Sequence, residues 1–317
     1  MANDSSKVVR SIYTGNDVAT YTLDEVTRRV ANRERVVATG VDMIDRYVKP
    51  VMPGDVTFIL ANTSNGKTAF MQFWARQAVK QLQQNQDEKQ LVVFITWETL
   101  VEELGLYDLC GMTGLDASNV WYGDILDKDM ARMRTAGMKR AAMPLWVVGY
   151  SLKRRREVRL TMEAVSRALE ALEASWEKKP AMIFLDYLQR ITPRDPRMDR
   201  RAVVMENVDG IQDLARDCGC PVVVGCQAGR QVLDRDFKLP ELGDGQETSR
   251  IEQDADKVIA LWYPVKTDPL GTPIDELGIS VEPDLMVMGV RKQRHYASGQ
   301  CFPLRYDAPR NLFTSWR

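Results

Sequence analysis

Only one histidine stands in the 317 residues, and cysteine is sparse at five. With no second histidine or carboxylate cluster near it, His295 is set aside as a metal ligand and reads as a polar loop residue. Five cysteines are an odd number and show neither zinc spacing nor a disulfide framework. Cys218 and Cys220 flank Gly219 ahead of an apolar run that Cys226 ends, and they read as buried, reduced thiols. No uninterrupted apolar run is long enough to span a bilayer, so no membrane partner is expected. The opening MANDSSKVVR holds no apolar signal core, so the expected location is the cytoplasm. An excess of either charge is also lacking: 43 Lys and Arg stand against 44 Asp and Glu, a net charge of −1. Any surface that binds nucleic acid must therefore be a local cluster.

What the chain does have is concentrated in GDVTFILANTSNGKTAF, residues 54–70. Val56 to Leu60 is an apolar, β-branched run that reads as a buried parallel strand. A small polar loop follows, and then a helical pattern. Strand, loop and helix in that order are the context of a phosphate-binding P-loop. Unpaired N–H groups at a helix start favour an anion. Ser64, Asn65, Gly66, Lys67, Thr68 and Ala69 are the candidate nucleotide contacts. Gly66 lets backbone approach phosphate, Lys67 reaches the terminal phosphates, and the Thr68 hydroxyl suits Mg²⁺. The expected cofactors are ATP and Mg²⁺. The usual first glycine of such a loop is here Ala61.

Three further apolar runs end in polar residues. Leu91 to Thr96 leads to Glu98, a carboxylate at the strand edge where α/β proteins bind ligands, and so a candidate to orient an attacking water. Ala181 to Asp186 has the Walker B pattern, with an acid at the strand tip for the metal. Pro221 to Gly225 runs into Cys226 and Gln227, whose amide has both a donor and an acceptor to sense a γ-phosphate. The loops beyond are basic or long: Arg190, Arg194, Arg197, Arg200 and Arg201 follow Asp186, and residues 230–248 follow Gln227. Lys153 to Arg159 reads as a solvated helix start rather than a nucleic-acid contact. Near the beginning, Thr22 and Glu25 form a capping-box pattern for a short amphipathic helix with Leu23, Val26 and Val30 on one face, and Arg28, Arg29, Arg33 and Arg35 around it. That helix packs on its own domain or on a neighbour; the residues leave both open. Strands are expected at 257–263, 285–290 and, as the last, 302–306, with a turn at 268–273.

Several of these segments together resemble the C-terminal motor domain of DnaB-type hexameric replicative helicases, a RecA-like family. ANTSNGKTAF is similar to its Walker A loop, whose first position is often Ala; FITWETLVEEL to its catalytic-glutamate motif, at Glu98; FLDYLQRI to its Walker B text, at Asp186. VVVGCQAGR resembles its sensor motif at Gln227 and Arg230, RIEQDADKVIALWY matches family text, and VRKQRHYASG resembles its finger motif at Lys292 and Arg294. The order covers about residues 40–315. The resemblance implies a RecA-like α/β P-loop ATPase, with a mainly parallel central sheet flanked by helices, over residues 39–317, preceded by a tail and linker helix over 1–38. It implies a homo-oligomeric ring, a hexamer, that hydrolyses ATP, moves 5′ to 3′ on single-stranded DNA and unwinds duplex during replication. Lys67, Glu98, Asp186, Gln227, Lys292 and Arg294 would be the catalytic set, with Arg294 reaching a neighbour's γ-phosphate. Arg194, Arg197, Arg200 and Arg230 would hold DNA. Primase or a loader is among the family's partners, but the N-terminal helical collar that meets them has no counterpart in the matched text. Two other readings stay open: a RecA-like DNA-dependent ATPase that does not unwind, and a nucleotide-binding ring scaffold or loader partner.

Overall fold

The computed structural model of the protein describes residues 13–31, 38–85, 88–154, 159–245 and 249–316. Arg33, Arg35, Arg155, Arg156, the side chains of Arg28 and Arg29, and the end of the 230–248 loop lie outside the described residues. The chain divides into two compact units, residues 1–36 and 37–317.

The first unit holds helix α1 (Gly15–Ala31). Thr22 lies inside this helix, so the capping box expected at Thr22 and Glu25 does not start it. Thr14 does: its hydroxyl accepts from the Asp17 N–H at 3.2 Å, while the Asp17 carboxylate accepts from the Thr14 N–H at 2.8 Å. The threonine-to-acid spacing occurs twice here, and the earlier copy gives the longer helix, which needs only one nucleation. Leu23, Val26 and Val30 do share a face, and they are 65, 51 and 71 % exposed.

The second unit is built on strands β1 (Val56–Ala61), β2 (Gln90–Thr96), β3 (Leu145–Val148), β4 (Lys179–Asp186), β5 (Val222–Gln227) and β6 (Lys257–Trp262). A two-stranded hairpin, β7 (Pro273–Ile274) and β8 (Ile279–Ser280), precedes β9 (Leu285–Gln293), β10 (Cys301–Asp307) and β11 (Leu312–Ser315). Nine strands form one sheet in the order β11-β10-β9-β6-β1-β5-β4-β2-β3. From β6 to β3 every pairing is parallel, and from β6 to β11 every pairing is antiparallel. The parallel strands are mostly apolar because helices cover both faces; β1 and β6 are buried at every position, Thr57 and Lys257 included. β11 and the small hairpin add to the strands expected from sequence. Both are short and sit among Gly, Pro and Asn, which mask a strand pattern.

Helices α2 (Asp42–Tyr47), α3 (Lys67–Gln84), α4 (Val101–Thr113), α5 (Ala117–Tyr122), α6 (Asp127–Ala141), α7 (Met162–Trp176), α8 (Arg200–Cys218) and α9 (Ser249–Asp254) complete the unit. One core joins Phe70, Phe73 and Trp74 of α3 to Phe94, Phe184 and Phe313 of the sheet. The other joins Val204, Val208, Ile211 and Leu214 of α8 to Phe58, Leu60 and Val224. Burying one such side chain contributes about 1.5–3 kcal/mol. α4 is tied to α3 and α6 by Asp108, 2 % exposed, which accepts from Arg76 at 3.0 Å and Arg140 at 2.8 Å. The helix expected to start in the basic run from Lys153 starts later: α7 begins at Met162, where the Thr161 hydroxyl accepts from the Ala164 N–H at 3.2 Å. The arginines offer no such acceptor, and the cap decides the start.

Candidate functional site

β1 lies between β5 and β6, and its last residue, Ala61, is level with Gln227. In the neighbouring pair, Thr96 of β2 is level with Asp186 of β4. The carboxyl ends of four parallel strands therefore meet at one edge, and the loop from Asn62 to Gly66 rises over it into α3. Gly66 has φ of +79°, a conformation strained for any other residue, and a Cβ there would also have to push aside the Met286 Cε, 2.8 Å away. No side chain of the described residues caps α3. Asn65 is buried and braces the loop: its N–H donates to the Asn62 carbonyl at 3.3 Å, and its Oδ1 accepts from the Tyr263 N–H at 2.8 Å. Ser64, Gly66, Thr68 and Ala69 line a cleft of about 910 Å³, together with Tyr107, Trp121, Tyr122, Tyr263 and Tyr306.

At the floor, the Lys67 ammonium donates to the Ala61 carbonyl at 3.2 Å and faces the Tyr187 ring 5.5 Å from its centroid. Burial pulls this ammonium below its ordinary range, and the Asp186 carboxylate works against that. The Thr68 hydroxyl donates to Asp186 Oδ2 at 2.9 Å. Asp186 is 1 % exposed and its Oδ1 has no hydrogen-bond partner. Burial pushes its carboxyl up to about 6, against the hydrogen bond from Thr68 and the charge of Lys67. A half-buried hydroxyl beside a buried carboxylate with an unused oxygen is an oxygen-only donor set. It fits Mg²⁺, which takes one or two protein ligands and completes its shell with water and phosphate oxygens. Among the described residues no group of three or more His, Cys, Asp or Glu is placed to hold a metal by itself.

Glu98 and Gln227 stand at the rim. Glu98 is half exposed and pairs with Arg190 at 3.4 Å. Arg190 closes a single 3₁₀ turn, Leu188–Arg190, and its Nε also donates to the Tyr187 hydroxyl at 3.2 Å. The Gln227 side-chain amide donates to the Thr63 hydroxyl at 2.9 Å, and its backbone N–H donates to Gln189 Oε1 at 3.1 Å. Thr63, Tyr187, Gln189 and Arg190 are thus the residues that sequence reasoning did not assign to the site. Three of them lie in the text that follows Asp186, but Lys67, Glu98 and Gln227, which they meet, are far away in sequence.

Arg294 and Lys292 are not brought to this cleft. Arg294 pairs with Asp256 at 2.9 Å, and Asp256 also accepts from the N–H of Val56 at 2.8 Å. Val56 is the first residue of β1 and Ala61 the last, a span of roughly 17 Å at strand rise. Lys292 donates to the Glu252 carbonyl at 2.7 Å, closing the end of α9; burial, then the Arg294 charge, lowers its ammonium. Arg194, Arg197 and Arg230 are exposed beyond β4 and β5, and Arg197 pairs with Asp195 at 3.1 Å. Arg200 opens α8, whose cap is the Asp199 side chain. His295 is an exposed turn residue with φ of +66°. Cys110, Cys220 and Cys226 are buried and in no disulfide, while Cys218 and Cys301 are partly exposed.

The family model described as "DnaB-like helicase C terminal domain" matches residues 36–314. "Replicative DNA helicase DnaB" of Helicobacter pylori (strain ATCC 700392 / 26695) is 26 % identical over 226 residues, 71 % of this chain and 43 % of that protein. "Replicative DNA helicase DnaC" of Bacillus subtilis (strain 168) is 27 % identical over 251 residues, 78 % of this chain and 52 % of that protein. The chain spans about half the length of the curated relatives it matches. Among solved structures, the "ATPase Domain of G40P" superposes with a TM-score of 0.76 at 19 % identity, covering 94 % of this chain and 98 % of that one. A DnaB-like replicative helicase, solved with its interactions with primase, gives 0.74 at 18 % identity, covering 94 % and 66 %. The fold is RecA-like, with a mainly parallel sheet flanked by helices, as the sequence led us to expect.

Proposed function

The chain belongs to the DnaB-like helicase C-terminal domain family, and from that membership and the geometry of the cleft we propose that it is the ATP-hydrolysing motor subunit of a ring-shaped DNA helicase. The ring is a hexamer that moves 5′ to 3′ along single-stranded DNA and unwinds duplex during replication. Among the described residues no helix is long and apolar enough to cross a membrane, and we place the protein in the cytoplasm. Primase or a loader is a further partner, suggested by a neighbour solved with its interactions with primase.

The carrying observation is a separation. Lys67, Thr68, Asp186, Glu98 and Gln227 converge at one end of β1, while Arg294 stands at the other, farther than its own side chain can reach. A finger that cannot serve its own cleft fits a neighbour's, and closing that relation in a circle gives a ring. Thr68 and Asp186 would hold Mg²⁺, whose charge neutralises phosphate oxygens. The first turn of α3 and Gly66 receive the phosphates, and Lys67 turns from the loop carbonyls toward them. Glu98 orients the water and accepts its proton. Gln227, held between Thr63 and Gln189, is placed to pass the presence of a γ-phosphate to the loop that carries Arg230.

The test is ATP turnover with and without single-stranded DNA, beside the mass of the assembly and strand displacement on a forked duplex. DNA-stimulated turnover by a six-subunit ring that displaces the strand is the expected result. Stimulated turnover without displacement would make it a non-unwinding motor, and nucleotide binding without turnover a ring scaffold.

A further inference from the structure

Among the arginines that follow β4, Arg190 faces two ways. Its terminal nitrogen reaches Glu98 at 3.4 Å and its Nε is pinned to the Tyr187 hydroxyl at 3.2 Å. The Tyr187 ring in turn faces Lys67. The side chains of Arg190 and Glu98 are 57 and 49 % exposed, so solvent and solutes reach the pair from the rim. Arg190 is also the first cation of the segment that goes on to Arg194, Arg197, Arg200 and Arg201. One guanidinium thus touches the water-orienting carboxylate of the proposed ATP cleft and belongs to the segment proposed to hold DNA.

We propose that Arg190 is a positioning residue that restrains Glu98, and that a DNA phosphate releases the restraint by taking over its guanidinium. The inference rests on reading Glu98 as the water-orienting residue and residues 190–201 as a DNA contact. Competition favours the phosphate. An exposed, 3.4 Å carboxylate pair shifts an equilibrium by no more than about fivefold. A phosphate accepts two parallel N–H bonds from the same fork and is the stronger partner. With Nε held by Tyr187, the phosphate and Glu98 contend for the terminal nitrogens. Restrained, Glu98 keeps one oxygen on Arg190; released, it turns fully to the water. DNA would then raise turnover through a single exchange of partners.

The experiment compares wild type with Arg190→Ala, Arg190→Lys and Tyr187→Phe as assembled rings, with oligo-dT as the probe. Arg190→Ala should raise DNA-free kcat about two- to fivefold, the range an exposed pair can hold back. It should leave the KM for ATP unchanged and shrink the stimulation by oligo-dT by the same factor. Arg190→Lys should restore most of the restraint, and Tyr187→Phe should shift kcat the same way by less. Apart from turnover, Arg190→Ala should lower the salt slope of oligo-dT binding by about 0.7, one phosphate contact on a single strand. In a Glu98→Gln background, Arg190→Ala should change the residual turnover by nothing. A fall in DNA-free kcat, an unchanged stimulation ratio, an unchanged salt slope, or an equal effect with and without Glu98 would each overturn the proposal. Glu98→Gln turning over at the wild-type rate would instead remove the reading of Glu98 on which it stands. Should Arg190→Ala fail to assemble, Tyr187→Phe carries the same comparison.

Discussion

The floor of the cleft and its rim are built on opposite terms. At the floor, Lys67, Asn65 and Asp186 are buried and held at short range by the loop, by Thr68 and by the strand ends. At the rim Glu98 and Arg190, and away from the cleft Arg197 and Arg294, are about half or more exposed, and each pairs with an opposite charge of its own chain. Buried groups are expensive to misplace, so the floor fixes geometry. Exposed pairs contribute at most about 1 kcal/mol, so their partners can be exchanged for a phosphate or a neighbouring subunit. The proposed motor needs both: one place that is costly to rearrange, and one where contacts are cheap to trade.

The comparison breaks most sharply at Arg294. If exposed pairs act by exchange, Arg294→Ala should leave thermal stability nearly unchanged while removing roughly a thousandfold or more of ATP turnover. Its loss should also be repaired by a neighbour. Lys67→Ala and Arg294→Ala subunits are each inactive, but a mixed ring contains interfaces with an intact floor from one and an intact finger from the other. Mixed rings, verified by mass, should regain hydrolysis at those interfaces. Recovery of none would place the action of Arg294 within its own subunit, against the separation along β1.

Glu98 tests the rim from the other side. Glu98→Gln keeps size and hydrogen bonding but loses the proposed proton acceptor, which should cost about 10²–10⁴ in kcat. Binding of a fluorescent ATP analogue should persist, because the floor is untouched. Lys67→Ala should lose turnover through weakened phosphate contact, at about 10²–10³ for one donor. A Glu98→Gln protein that had lost nucleotide binding as well would show that floor and rim are not separable.

The floor was far more legible in the sequence than the rim. Apolar runs ending at Ala61, Thr96, Asp186 and Gln227 marked the strand tips, and Gly66-Lys67-Thr68 marked the loop between strand and helix. What could not be read is which tips are neighbours. The sheet places β5 next to β1 and β4 next to β2, so Gln227 meets Thr63 and Arg190 meets Glu98 only once the crossovers are made. Arg294 shows the same limit. Residues 291–293 belong to β9, which runs antiparallel to β6, and that direction carries Arg294 away from its own cleft. At α1 and α7 the helices were found but not their starts, because Thr14 and Thr161, rather than Thr22 or the basic run, supply the caps. The strand β11 stayed hidden in a short stretch next to a Pro and Asn turn.

Asp186 sharpens the comparison through stability. Its carboxyl titrates at about 6 in the fold, above the ordinary 3.8, so the fold favours the protonated form. The charged form therefore weighs on stability above pH 6, and the burden lifts as pH falls through 6 toward 4. Asp186→Asn should abolish metal-dependent turnover and, in metal-free buffer at pH 7.5, raise stability by on the order of 1–3 kcal/mol, read as a Tm higher by several degrees. The advantage should shrink in acid. A lower Tm at pH 7.5 would mean that the charge of Asp186 supports the floor instead of burdening it.

The smallest effects belong to the arginines beyond β4. Arg194, Arg197 and Arg200 sit on an exposed stretch that ends at the start of α8, and Arg197 already holds Asp195. Replacing the three with alanine removes no core contact, so stability should move by no more than about 0.5 kcal/mol. ATP turnover without DNA should stay within about twofold, since none of the three reaches the cleft lining. What should change is the response to salt. Each lost phosphate contact flattens the slope of log affinity against log salt by about 0.7 on single strands, so the triple variant should lose up to about 2 units, equally for every base sequence. The equality matters as much as the size. Contacts to phosphate carry no sequence information, whereas a base-reading segment would weaken some oligonucleotides more than others. An unchanged slope would move the DNA contact off this segment, with the basic run that begins at Lys153 the next place to neutralise.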